Sequence, residues 1–218
     1  MWTLDADLAG LPIGRRMIVM RRAAGDVVVH SAVCADARTM ASIEALGPLT
    51  AIIVPSRHHS MDAAAWKHRF PTARVLARPA AVPAVGKRVT VDGDVASLGA
   101  DAAVSWVPLA GAPDEGILLH QAADGVTAVF NDAFMNLPDR LPGVRGLMMK
   151  LVGSTGGPKV TGLARWFIVK DHGGHAAQLR ELAARPDLRR VVPGHGTIIE
   201  GADAARAALL RAADGLVA

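Results

Sequence analysis

One cysteine, Cys34, stands in the 218 residues, so no intramolecular disulfide can staple this chain and a hydrophobic core has to hold it. Nothing in that composition speaks against a reducing compartment, and Cys34 reads as a small apolar side chain, buried or half-buried. Long apolar runs are also missing. None approaches the roughly 18 residues needed to cross a bilayer. The opening MWTLDADLAG carries acidic residues where a secretory signal needs a basic end, so a cytoplasmic location is expected. Repeats and low-complexity tracts are absent apart from a general richness in alanine. The glycine-rich GSTGGP at 153–158 is not a phosphate loop, because Lys159 is followed by Val160 rather than Ser or Thr and no strand pattern precedes it. What is present is a 51% hydrophobic composition, ample for one sizeable core, and the length suits a single α/β domain over 1–218.

The stretch that organises the chain is TAIIVPSRHHSMD, from Thr50 to Asp62. Ala51 to Val54 is too short for a buried helix and right for a buried strand. Pro55 ends the ladder because it has no N–H to give. The loop after it, Ser56 to Met61, is rich in ligand-capable side chains at the end of that strand, where α/β proteins carry their chemistry. Two fragments look like its partners: FNDAF at 130–134, with Asp132 directly after a strand, and VVPGHG at 191–196, with His195 directly after another.

Around these the periodicity predicts a hairpin over Met17–Arg22 and Asp26–Val33, with His30 structural. A short helix capped by Thr39 follows, ended by Gly47. Ser60 is expected to cap the next helix with Asp62 in its first turn, and Met61, Ala64, Ala65 and His68 share one face, so that His68 faces inward or lies over the loop. Five strands then read as Arg74–Ala77, Arg88–Val91, Ala103–Val107, Gly116–Gln121 and Gly125–Phe130, the last two joined as a hairpin across AADG. A helix over Asp171–Ala184 holds His172 and His175 at HxxH spacing, read as two solvated histidines with a second metal site as the sharper alternative. A final helix from Asp203 packs Leu209, Leu210 and Leu216. Enough strands for two sheets, with helices between and after them, predict a four-layer α/β sandwich.

Between Ala133 and Lys170 the pattern changes, with little β character and charge of one sign. Arg140, Arg145, Lys150, Lys159, Arg165 and Lys170 face only Asp139, an excess larger than the net +4 of the whole chain. This segment reads as a basic insertion over the site, presenting Arg140, Arg145, Lys150 and Arg165 to a small anionic molecule. Nucleic acid is disfavoured, since only Phe134, Trp166 and Phe167 interleave with the charge.

The order of the three fragments resembles the metallo-β-lactamase superfamily, with the resemblance running from about Met17 to Gly196. PSRHH, AAAWKHRF and FPTARV further resemble a branch with a Pro-x-x-His-His loop, a Trp-containing helix and a Phe-Pro-x-Ala turn. The resemblance implies an αβ/βα sandwich. In a gapless register it places His58, Asp132 and His195 on ligand positions, while Ser56, Ser60, Met61 and Ala112 stand where further ligands belong. A catalytic zinc needs about three protein ligands. Three substitutions for the missing ones are open: His59 turns inward; Asp114 or Glu115 replaces the third histidine; or a two-residue slip puts His58 and Asp62 on ligand positions, which breaks the strand alignment. The count leaves room for at most one weakly held zinc, or for none. Two functions follow from the resemblance. One is a hydrolase of an ester, thioester, amide or phosphate, with Asp132 and His58 working on a metal-activated water. The other is a non-catalytic descendant that binds a small anion or a partner.

Overall fold

The structure, a computed structural model, describes residues 1–217. The chain divides into two compact units, residues 1–5 with 16–106, and residues 6–15 with 107 onward. The first is centred on a five-stranded sheet. Its elements are β1 (Trp2–Asp7), β2 (Gly14–Arg21), β3 (Val27–His30), α1 (Ala37–Glu44), β4 (Leu49–Val54), α2 (Ala63–Arg69), β5 (Arg74–Ala77) and the short α3 (Val82–Val85), with strand order β1-β2-β3-β4-β5. The β2–β3 pair is antiparallel, as the hairpin pattern predicts, while β3–β4 and β4–β5 are parallel. Val27, Val28, Val29, Ile52 and Ile53 are fully buried, which is why β3 and β4 read as continuous apolar runs rather than alternating ones.

Several local expectations are corrected in this unit. Asp36, not Thr39, caps α1, its carboxylate accepting from Thr39 N at 2.7 Å. The helix after the double histidine begins at Ala63, later than Ser60 would start it, and Asp62 accepts instead from Cys34 N at 2.8 Å. The later start rotates the buried face. Ala63 and Trp66 point inward, and Ala64, Ala65 and His68 are exposed. Cys34 is exposed as well, its amide tied down by Asp62 while its side chain faces outward. Arg88–Val91 forms no strand. The chain passes the edge of β5 one turn later, through Asp92 N to Val75 O at 2.8 Å and a single bridge of Gly93 to Leu76, because the Pro83 helix and its following turns occupy the residues before it.

The second unit is centred on a sheet of order β12-β11-β8-β7-β6. Its elements run β6 (Val104–Pro108), β7 (Gly116–Ala122), β8 (Gly125–Val129), β9 (Met135–Leu137), α4 (Gly143–Leu151), β10 (Gly157–Lys159), α5 (Gly162–Phe167), α6 (His172–Ala183), β11 (Leu188–Val192), β12 (Ile199–Glu200) and α7 (Ala202–Val217). The hairpin β7–β8 is antiparallel and β8–β11 is parallel. Leu179, Leu182, Leu209 and Leu216 from α6 and α7 share one core cluster with Phe130, Phe134, Leu188 and Val191. Leu210, expected in this core, is exposed, because the buried stripe of α7 runs Ala205, Ala208, Leu209, Ala212, Ala213, Leu216. The segment 133–170 holds more regular structure than its composition suggests. β9 and β10 pair antiparallel, and α4 and α5 alternate with them. Strands of three residues are too short to register as a period.

Trp66 is the largest fully buried side chain of the first unit, and its indole N–H donates to Val33 O at 3.0 Å. Truncation to alanine is expected to lower unfolding free energy in urea by about 3–5 kcal/mol. Trp66→Phe keeps most of the packing and loses the hydrogen bond, so it should cost only about 1–2 kcal/mol. Equal losses for the two variants would show that packing is not what Trp66 contributes.

Candidate metal centre

In the second unit β8 and β11 run parallel with Val129 opposite Val192, and Phe130 N donates to Val192 O at 2.9 Å. Asp132 and His195 each lie three residues beyond those paired valines, so the strands deliver both at the same level, at their carboxyl ends. Both side chains are buried, and His195 Nε2 is 3.1 Å from Asp132 Oδ1. The other ring nitrogen, Nδ1, is 2.6 Å from Gly14 O. A carbonyl only accepts, so Nδ1 carries the proton and donates. That leaves Nε2 turned on a carboxylate oxygen. With a neutral ring and an ionised carboxylate these are two acceptors facing each other, which a proton on one of them or a cation bound by both would resolve. A histidine that donates one nitrogen to a backbone carbonyl and offers the other is the arrangement of a metal-ligating imidazole.

The loop that carries His195 is fastened from the insertion side. Asn136 N of β9 donates to His195 O at 3.2 Å, and Thr197 N to Asn136 O at 2.9 Å. Gly196 between them has φ +89°, and a Cβ there would collide with the Asn136 carbonyl, so only glycine fits.

Asp114 and Glu115, the acidic substitutes suggested by the sequence, are both buried in this unit. Glu115 Oε2 accepts from Ala133 N at 3.0 Å, on the residue after Asp132. Burial first, and the Asp132 charge second, push its carboxyl well above the usual carboxylate range, favouring the neutral acid. Ala112 is buried and offers no donor.

The first unit brings forward one member of its double histidine. The turn closed by His59 N to Ser56 O, 3.2 Å, leaves Arg57 and His58 exposed and turns His59 inward with Ser56 and Ser60. His59 Nδ1 lies 2.7 Å from Ser31 Oγ, directly past the end of β3. Ser31 has φ 57°, the one left-handed non-glycine among the described residues, and it is held there by its N–H to Ile53 O at 3.0 Å. Neither Ser31 nor the Gly14 carbonyl had a signal in the sequence. A lone serine after a strand and a backbone oxygen have no motif.

Of the four basic residues read as anion-binding, Arg140 is exposed, Arg145 donates to Gly10 O, exposed Lys150 pairs with Asp139 at 2.7 Å, and half-buried Arg165 donates to Gly215 O at 2.9 Å. The HxxH pair is not solvated as a pair. His175 is fully buried with Nδ1 donating to Ala110 O at 3.2 Å, and His172 Nε2 donates to Arg165 O at 3.0 Å. Each histidine therefore spends one ring proton on a backbone carbonyl of its own.

Burial lowers the His175 pKa from 6.5 to about 4. The unfolded chain takes up this proton at higher pH than the folded one, so the stability it contributes is full above pH 6.5 and is lost as pH falls toward 4. Wild type should lose up to about 1.4 kcal/mol per pH unit relative to His175→Gln over that window, measured by urea unfolding. Parallel curves for the two proteins would contradict the assignment.

Compared by sequence, the chain matches no family model and no curated relative. Compared by structure, it is similar to the metallo-β-lactamase of Erythrobacter litoralis, with TM-score 0.61 and 17% identity over 98% of this chain and 91% of that one. The metallo-β-lactamase of Pontibacter korlensis gives 0.57 and 10% over 97% and 93%. That of Hirschia baltica gives 0.55 and 13% over 95% and 90%. With two mixed sheets, helices accompanying both, and these likenesses along nearly its whole length, the chain has the αβ/βα sandwich fold of the metallo-β-lactamases.

Proposed function

We propose that this chain is a hydrolase-like protein that holds a single metal ion through His59, Asp132 and His195. The observation that carries the reading is the His195–Asp132 pair, in which Gly14 O accepts the hydrogen bond of Nδ1–H and Nε2 is left against a carboxylate. Two buried histidines and one buried aspartate are a donor set able to hold a metal ion, and they suit zinc. His59 takes the place given to His58 in the gapless register, because His58 is exposed and His59 is buried with its ring oriented by Ser31. Three ligands leave a position open, as catalytic zinc sites do. An ion there would act as a Lewis acid on a carbonyl or phosphoryl oxygen and would lower the pKa of water.

The residues of the chain prepare that chemistry. Ser31 and Gly14 each orient one imidazole, and burial of all three ligands strengthens their hold on a cation. Esters, thioesters, amides and phosphates are the substrate classes for which this machinery serves. Ser56, Ser60 and Ala112 supply no nitrogen donors for a second ion, which supports one metal per chain rather than two.

Protein purified without chelator should contain at most one zinc per chain by elemental analysis, and a chelated sample should gain thermal stability on adding zinc. His59→Ala, Asp132→Ala and His195→Ala are each expected to abolish that gain, whereas His58→Ala keeps it. Ser31→Ala should weaken zinc by roughly 10–100-fold, as loss of a supporting hydrogen bond does. Two tightly held zincs, or a loss with His58→Ala but not with His59→Ala, would overturn the ligand set.

A further inference from the structure

The helices of the basic segment are amphipathic in the wrong sense for a core. On α4 the apolar residues Val144, Leu147, Met148 and Leu151 fall at i, i+3, i+4 and i+7, one continuous stripe. That stripe faces solvent: Val144 is 75% exposed and Leu151 77%, while Gly146 and Met149 are the buried positions. On α5 Leu163, Trp166 and Phe167 repeat the spacing and are also exposed, Phe167 at 70%. The two helices abut. Gly162 N donates to Gly153 O at 3.3 Å, and a side chain at 162 would collide with the Val152 carbonyl, so the end of α4 meets the start of α5. The remaining large exposed apolar residues among those described, Trp2, Leu11, Val82, Leu210 and Val217, are scattered along the chain. A concentrated apolar surface of this kind marks a site of interaction.

We propose that this α4–α5 face docks on an anionic lipid surface, the apolar side chains entering the headgroup and acyl boundary and the surrounding cations meeting the lipid charge. The same segment holds Arg140, Arg145, Lys150, Lys159, Arg165 and Lys170 against Asp139 alone. Arg145, Arg165 and Lys170 donate to the neutral carbonyls of Gly10, Gly215 and Trp166, so they keep their full charge. Among the described residues, only Lys150 of these six is ion-paired, with Asp139. A second copy of this chain fits poorly, because a twofold contact would bring two like-charged rims together. A folded acidic protein is also disfavoured. The apolar side chains stand out from short helices, and a bilayer accepts protruding side chains without needing a shaped counterpart. Trp166, polar at one edge and apolar elsewhere, is suited to the headgroup level.

The test is flotation of the full chain with vesicles of phosphatidylcholine alone and of phosphatidylcholine mixed with phosphatidylglycerol. Wild type is expected to float with the mixed vesicles, at least about tenfold more strongly than with phosphatidylcholine, and to be released by salt. Leu147→Ser with Leu151→Ser, and separately Trp166→Ser with Phe167→Ser, should each reduce partitioning by about tenfold or more while leaving the thermal midpoint in place, since these side chains are solvated. Trp166→Phe should still float but lose the blue shift of tryptophan emission that wild type shows on binding. Absence of flotation with either vesicle would overturn the proposal, as would binding unaffected by both double variants. A concentration-dependent dimer that Leu147→Ser dissolves would assign the face to a second copy. Equally strong binding to polyglutamate would assign it to an acidic protein.

Discussion

The hydrogen bond from His195 Nδ1 to the Gly14 carbonyl is the constraint on which the candidate centre depends. A backbone carbonyl cannot donate, so the ring has one tautomer available to it while that bond stands. Asp132 Oδ1 then faces the ring nitrogen that carries no proton in that tautomer. Were Gly14 O replaced by a donor, Nε2–H could bond Asp132 directly, and the pair would be an ordinary buried hydrogen bond. As built, it requires either an extra proton or a cation. Glu115 behind it, pushed toward its neutral form by burial and by Asp132, keeps a further negative charge out of the same small volume.

The rest of the second unit holds those two side chains in register. Parallel pairing of β8 with β11 brings Asp132 and His195 to one level, and the leucines of α6 and α7 clamp the sheet from behind. Gly196 and Asn136 fasten the loop after β11, and a substituent on Gly196 would break that attachment. In the first unit a short turn does comparable work, exposing His58 and burying His59 against a serine held in a left-handed conformation.

What was legible in the sequence was whatever repeats over several residues. The apolar runs of β3 and β4, the hairpins β2–β3 and β7–β8, and the order of the Asp132 and His195 fragments could all be read, and with them the fold. The choice within His58-His59 could not be, since it turns on where a four-residue turn closes. The buried face of α2 was displaced because the helix starts later than Ser60 suggests, and a small shift in origin rotates every following position. Arg88–Val91 had β composition without a neighbour to pair with. The apolar stripe of α4 was visible as residues, but its direction, outward, is a property of packing alone.

The most direct test of a positive charge shared by His195 and Asp132 is the protonation of the His195 ring, read from its nitrogen chemical shifts in protein labelled with nitrogen-15. Spectra would be taken with chelator and again after adding zinc. An Nδ1–H is expected in both samples, with the Nε2 signal shifting when zinc is added. An Nδ1 without a proton, or an Nε2 signal indifferent to zinc, would contradict that expectation.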